Sequence, residues 1–199
     1  MYYIRSSTDY EKEYDMYKEV IFALWFFLPA GIANVSPIFA AKVSSERWAA
    51  PIDFRKTFKG KRILGDHKTW RGLIVGIVMA TLVLWLQQYL VRHFGWAQSI
   101  TSKVDYKTVP VLLLGPAFGI GALGGDAIES FFKRQVNRPP GSGWFPFDQT
   151  DYIIGGAIAS SPFFRLSVEQ FIVLLLIWLV IHVVASYIGF LLGLKERPI

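Results

Sequence analysis

Four stretches of this chain run too long without a charge to belong to a soluble fold. Residues 20–39, 72–90, 109–125 and 170–194 are uncharged over 20, 19, 17 and 25 positions. A helix needs about 20 mainly apolar residues to cross a hydrocarbon core of roughly 30 Å. The first, second and fourth runs meet that length directly, and the third does so by continuing through Asp126 and Glu129 to Phe132. A shorter run, residues 152–164, becomes long enough when it is extended from Asp148 to Leu166. Hydrophobic residues make up 53% of the chain and charged residues 18%, so little polar sequence is left to coat such helices in water. The expected fold is an all-α integral membrane protein, a single multi-span domain over residues 1–199 with five transmembrane helices. The spans are predicted near 19–41, 72–91, 109–132, 148–166 and 168–193. Residues 1–18 form an amphipathic or flexible lead-in; rich in Tyr, Asp and Glu, it lacks the basic start of a signal peptide.

Lys and Arg give the orientation. The connection between the first two runs holds nine of them: Lys42, Arg47, Arg55, Lys56, Lys59, Lys61, Arg62, Lys68 and Arg71. With five spans, this connection, the third one and the C-terminal tail share a side and carry 14 of the 21 basic residues. Basic loops favour the cytoplasm, which puts the N-terminus outside. With four spans the tail moves across, but the two basic connections still share a side. The net charge of +6 is thus the charge of loops beside anionic lipid or a polyanionic substrate, and no nucleic-acid partner is expected. The chain has no cysteine and three histidines, which excludes disulfides and thiolate metal sites and argues against a multi-histidine one.

Ionisable residues inside a span are functional candidates by default. Asp126, Glu129 and Lys133 are spaced to share one helix face. Asp148 and Asp151 follow at i and i+3 where the next helix begins. A carboxylate at a helix start complements the dipole, which accounts for Asp148 but not for Asp126. Three carboxylates converging from two helix ends on one membrane face suggest Mg²⁺ holding phosphate oxygens. Between them, Arg134 and the stretch Asn137-Arg138-Pro139-Pro140-Gly141-Ser142-Gly143 bring cations and a glycine-containing turn suited to a polyanion. On the other basic connection, the compact stretch 65–72 offers Lys68, Arg71 and His67 to phosphates; it is not a Walker loop. Pro29, Asn34 and Pro37 are expected to kink the first span and free backbone groups.

These residues resemble a known signature. Gly125-Asp126, Ser130-x-x-Lys133-Arg134, Pro140-Gly141-Ser142-Gly143 and Asp148-x-x-Asp151 are similar to the motif of the integral-membrane CTP-dependent cytidylyltransferases, the CDP-diacylglycerol synthase superfamily. Ala50-Pro51-Ile52-Asp53, Gly65-Asp66-His67-Lys68-Thr69-Trp70-Arg71-Gly72 and residues 139–147 resemble its short archaeal branch, the CDP-archaeol synthases. The resemblance spans residues 26–192. It implies five membrane helices around a polar cavity open to the cytoplasm, and transfer of the cytidylyl group of CTP to an isoprenoid-ether lipid phosphate with release of pyrophosphate. It assigns Asp126, Asp148 and Asp151 to Mg²⁺ and Lys133 to phosphate. Lys68, Thr69 and Arg71 fall in the nucleotide-binding loop, and Asn34 at a polar break in the first helix. Arg134, Arg138, Gly141 and Gly143 complete the candidate CTP contacts. Two other readings stay open: a synthase using a different lipid phosphate, and an ion-coupled transporter, which also uses Gly- and Pro-rich spans with an embedded Asp.

Overall fold

Two prolines govern how the first helix packs. The computed structural model describes residues 7–43, 49–101, 103–139 and 142–193. Helix α1 (Ser7–Val43) continues through Pro29 and Pro37. A proline has no N–H and leaves the carbonyl four residues earlier without its helical partner. For Pro29 that carbonyl is Trp25 O, and it accepts a 2.6 Å hydrogen bond from Gln87 Nε2 on α2 (Trp70–His93). For Pro37 it is Ala33 O, and there α2 presents Gly76, where a Cβ would stand 3.1 Å from the oxygen. Gly72 makes the same room for the Pro37 ring. The buried face of α2 is accordingly Gly72, Gly76, Ala80 and Leu84, a four-residue ridge laid on α1.

Glycine also seats α4 (Val111–Gln135). A Cβ at Gly115 or Gly119 would stand 2.6 Å from the backbone of Thr81 or Ile77 on α2. On the opposite face, Gly121 and Gly125 meet Gly155 and Asp151 of α5 (Phe147–Ser160) at backbone contact. Between these helices lies an aromatic core of Phe26, Phe27, Phe118 and Tyr152. Helix α6 (Val168–Leu191) starts with a Ser167/Gln170 capping box and leans on α1 through Trp178, whose indole N–H donates to Ala23 O at 3.0 Å. Its Ile172, Leu176, Val180 and Val184 form an exposed apolar row, as a lipid-facing helix requires.

The all-helical membrane fold stands, with differences in its parts. Among the described residues, four helices are long and apolar enough to cross a membrane: Met16–Lys42 within α1, then α2, α4 and α6. The expected span 148–166 is the 14-residue α5, about 21 Å long. It stops at Ser160, where Pro162 has no N–H to extend the ladder and the N–H groups of Phe163 and Phe164 fold back onto Ser160 O. At the other end of the chain, α1 takes in much of the expected lead-in, starting at Ser7. Two small elements were not expected. Helix α3 (Gly95–Ile100) follows α2, and a hairpin of β1 (Thr57–Phe58) and β2 (Lys61–Arg62) lies in the first basic connection.

The α4–α5 crossing yields a prediction. Gly155→Ala should destabilise the chain by about 1–3 kcal/mol, because the new methyl overlaps Gly121 O. Gly124→Ala, where a Cβ meets only open space, should leave the melting temperature in detergent unchanged or slightly raised.

Candidate active site

The loop between α1 and α2 is built around one carboxylate. Asp53 has a fully buried side chain, and it accepts hydrogen bonds from the backbone N–H groups of Arg55 (3.0 Å), Leu64 (2.9 Å) and Gly65 (3.2 Å). The guanidinium of Arg62 pairs with it at 3.0 Å and with Asp66 at 3.0 Å. Burial alone would raise the Asp53 pKa. The Leu64 and Gly65 N–H groups and Arg62 outweigh it and hold the carboxyl at about 2, against an ordinary 3.8. Gly65 stands at φ +111°, a backbone conformation that a side chain would strain.

From this turn the chain runs antiparallel to residues 50–52. Pro51 and Thr69 form a bridge, with Ile52 N–H donating to Lys68 O at 2.8 Å and Trp70 N–H to Ala50 O at 3.0 Å. Thr69 then caps α2, its hydroxyl accepting the Gly72 N–H at 3.1 Å. The Lys61 ammonium caps the far end of α4 by donating to Gln135 O. The hairpin and α4 are therefore joined at the same end of the bundle.

Two lysine-centred clusters result. Lys68 Nζ meets Asp126 Oδ2 at 2.5 Å, and the side chains are 23% and 28% exposed, so Asp126 faces a cation and not lipid. Burial lowers an amine pKa, but the Asp126 charge more than offsets this and holds the Lys68 ammonium above its ordinary range. Asp151 lies within electrostatic reach of both partners, and its backbone carbonyl touches α4 at Gly125. In the second cluster, the buried Lys133 ammonium contacts Glu129 at 3.2 Å and also Asp148. Asp148 accepts the Trp144 N–H at 2.7 Å, which fixes the turn before α5.

The remaining predicted residues are spread around these clusters. Arg71 is half-buried in the first turn of α2, and Asn34 is half-buried on α1 one turn before Pro37. Arg134 Nη2 reaches Pro139 O at 3.5 Å, while Arg138 donates to Gly143 O at 2.9 Å and sits over the Trp144 ring. Gly143 is exposed; Gly141 lies outside the described residues. Among the described residues, no three His, Cys, Asp or Glu side chains converge on one metal-binding point. The carboxylates instead form pairs, Asp126 with Asp151 and Glu129 with Asp148, each offset by a lysine. Their chemistry still suits Mg²⁺, which takes hard oxygen donors and often only one or two carboxylates plus substrate phosphates. Two residues lay outside the candidate set. Glu129 was signalled by its i,i+4 spacing to Lys133, whereas the role of Asp53 depends on folded backbone amides.

Lys133→Met should destabilise the protein by about 3–5 kcal/mol, since it strands two carboxylates in a buried place. Adding Glu129→Gln should recover part of that loss in a detergent melt. The stabilisation from Asp53 is complete above its unfolded value of 3.8 and is lost as pH falls through about 2. Exchange protection of the Leu64 and Gly65 amides, corrected for intrinsic rate, should therefore drop across that interval and stay flat above it.

Comparison with known proteins gives the family. A family model described as CarS-like, CDP-archaeol synthase, matches residues 16–199. A CDP-archaeol synthase of Thermococcus onnurineus is 34% identical over 180 residues, covering 90% of this chain and 96% of that protein. One of Methanocaldococcus jannaschii is 33% identical over 186 residues, with 91% and 98% covered. A solved structure described as an intramembrane enzyme for archaeal membrane lipid biosynthesis superposes with a TM-score of 0.65 at 26% identity, over 82% of this chain and 92% of that one. The match runs through the loop, both lysine clusters and all four long helices, and the chain belongs to the CDP-archaeol synthase family.

Proposed function

We propose that this chain transfers the cytidylyl group of CTP to an isoprenoid-ether glycerol phosphate, giving CDP-archaeol and pyrophosphate, at the end of the bundle where Lys68 and Lys133 are held. The enzyme is a CTP-dependent cytidylyltransferase of membrane lipid synthesis. The observation that carries the reading is a half-buried lysine, Lys68, and a buried one, Lys133, each held against carboxylates at the same end of a lipid-embedded bundle. A lipid phosphate keeps its chains in the bilayer while its head meets this charge. The charges gather at one end instead of tracing a path across, so the transporter reading is not favoured.

The acceptor phosphate oxygen is already anionic near neutral pH and attacks the α-phosphorus of CTP without a strong base. A new P–O bond forms to the lipid phosphate as the bond from the α-phosphorus to the bridging oxygen breaks, and pyrophosphate departs. Lys68 and Lys133 hold phosphate oxygens against the charge that shifts in this step. Lys68 reaches them by exchanging Asp126 for phosphate. Thr69, Arg71, Arg134, Arg138, Gly141 and Gly143 contribute to the nucleotide side, and Asn34 to the polar break beside it. Asp126 and Asp151 are the nearer carboxylate pair for Mg²⁺, with Asp148 beside Lys133. The ion, when bound, supplies Lewis-acid stabilisation of phosphate oxygens. Five crossings, with α5 and the turn after it as the fourth, would put the N-terminus outside and the site in the cytoplasm. The nine basic residues of the first connection support that side.

The test is labelled CTP with bis-geranylgeranylglycerol phosphate and Mg²⁺, using purified chain in detergent. Label should enter lipid, the ether-isoprenoid acceptor should outpace a diacyl one, and Asp126→Asn should cut the rate about 100-fold or more. No transfer to any lipid phosphate would refute the reaction, and equal rates on both acceptors would refute the archaeal substrate.

A further inference from the structure

We propose that Asp53 is a positioning residue for this reaction, clamping the α1–α2 loop so that the Lys68 ammonium is delivered to Asp126. The inference rests on the proposed function for its catalytic meaning, but its structural content stands apart from it. The hydrogen bonds of the Asp53 side chain stay within residues 55–65, so the residue acts at a distance from the charged clusters.

Lys68 is held from two directions, and both lead back to Asp53. On one side, the Lys68 N–H donates to Gly65 O at 3.4 Å, and the Gly65 N–H is itself bound by the Asp53 carboxylate at 3.2 Å. On the other, Lys68 O accepts from Ile52, the chain neighbour of Asp53, at 2.8 Å. The carboxylate thus joins residues 53–55 to residues 62–65, and Lys68 hangs from the closed loop. Lys61, bonded to Gln135 O, ties the same loop to α4, the helix that carries Asp126. An aspartate has the reach and the acceptors to close this loop, since three backbone N–H groups and a guanidinium converge on its two oxygens. Asparagine keeps the shape but offers one acceptor oxygen and no charge.

The experiment uses the full chain in detergent micelles and reads Asp53→Asn in three ways. First, pulse acylation by a bulky amine reagent, read by mass spectrometry, gives the ratio of modification at Lys68 to that at Lys133. The second lysine is held by α4 and α5 independently of the loop, and so serves as the internal reference. The ratio should rise several-fold in the variant while the melting temperature shows the bundle intact. Second, kcat should fall roughly 10- to 100-fold, the size expected when a reacting group is displaced by about an ångström. KM for the lipid acceptor should stay unchanged, and Asp53→Glu should restore part of kcat. Third, Asp53→Asn combined with Lys68→Ala should be no slower than Lys68→Ala alone. If Asp53→Asn does not fold, Arg62→Gln weakens the same clamp while leaving the carboxylate its backbone donors, and it should still raise the labelling ratio above that of the wild-type chain. An unchanged Lys68 ratio, or losses that multiply in the double variant, would overturn the proposal. If the wild-type chain transfers no cytidylyl group, the function fails on its own, and the labelling ratio still decides whether Asp53 positions Lys68.

Discussion

A carboxylate within an apolar span has to find a counter-charge, and Asp126 finds Lys68. An isolated ion taken out of water costs several kcal/mol even after the protein relaxes around it, so Asp126 cannot be left to lipid. The helix that bears it supplies no cation within reach, because Lys133 is two turns further on and already engaged with Glu129 and Asp148. The cation comes from a loop instead, and a loop can deliver a charge to a fixed point only if it is itself rigid. That requirement explains why the connection between α1 and α2 holds a buried aspartate, an arginine shared between two carboxylates, a hairpin and a bridge to residue 51, where a short polar turn would have joined the helices.

The same logic runs through the bundle. Prolines in α1 release carbonyls, and α2 answers one with Gln87 and the other with the open face of Gly76. Between helices in lipid there is no hydrophobic drive to association, so close backbone approach and interhelical hydrogen bonds carry the packing. Gly115 and Gly119 on one face of α4, and Gly121 and Gly125 on the other, bring three helices together at backbone distance. A direct consequence is chemical. Gly125 touches Asp151 O, so the contact that packs α4 on α5 also brings Asp126 and Asp151 into each other's field.

Much of this was legible in the residues. The long uncharged runs become α1, α2, α4 and α6, because hydrocarbon demands length and apolarity, both properties of local sequence. The 129/133 spacing shows its ion pair for the same reason, since helical neighbours are fixed by the helix period. Partners across elements were visible only as a shared membrane side: two basic and acidic stretches could be put together, but not Lys68 with Asp126 or Lys133 with Asp148. The end of α5 at Ser160 was hidden, because the uncharged run continues to Phe164 and only Pro162 marks a stop before Arg165. Asp53 was least legible. Its partners are backbone N–H groups, which almost every residue has, and nothing in a sequence says that those of Arg55, Leu64 and Gly65 will face one point.

The short α5 bears on how a lipid substrate could be served. A helix of about 21 Å begins at the charged end of the bundle and stops before crossing a hydrocarbon core on its own. Its Ile154 and Ile158 face outward, in line with the exposed Phe147 at its start. The charged groups at that start are thus flanked by an apolar surface open to the bilayer, not walled in by a full-length neighbour. For a reaction that joins a water-soluble triphosphate to the head of a membrane lipid, this geometry has a clear advantage. The acceptor need not leave the bilayer, and the cost of drawing two long chains into water at about 0.8 kcal/mol per methylene is avoided. Binding energy that would otherwise hold the chains is free to orient two phosphates, and orientation is what an in-line displacement without a general base requires.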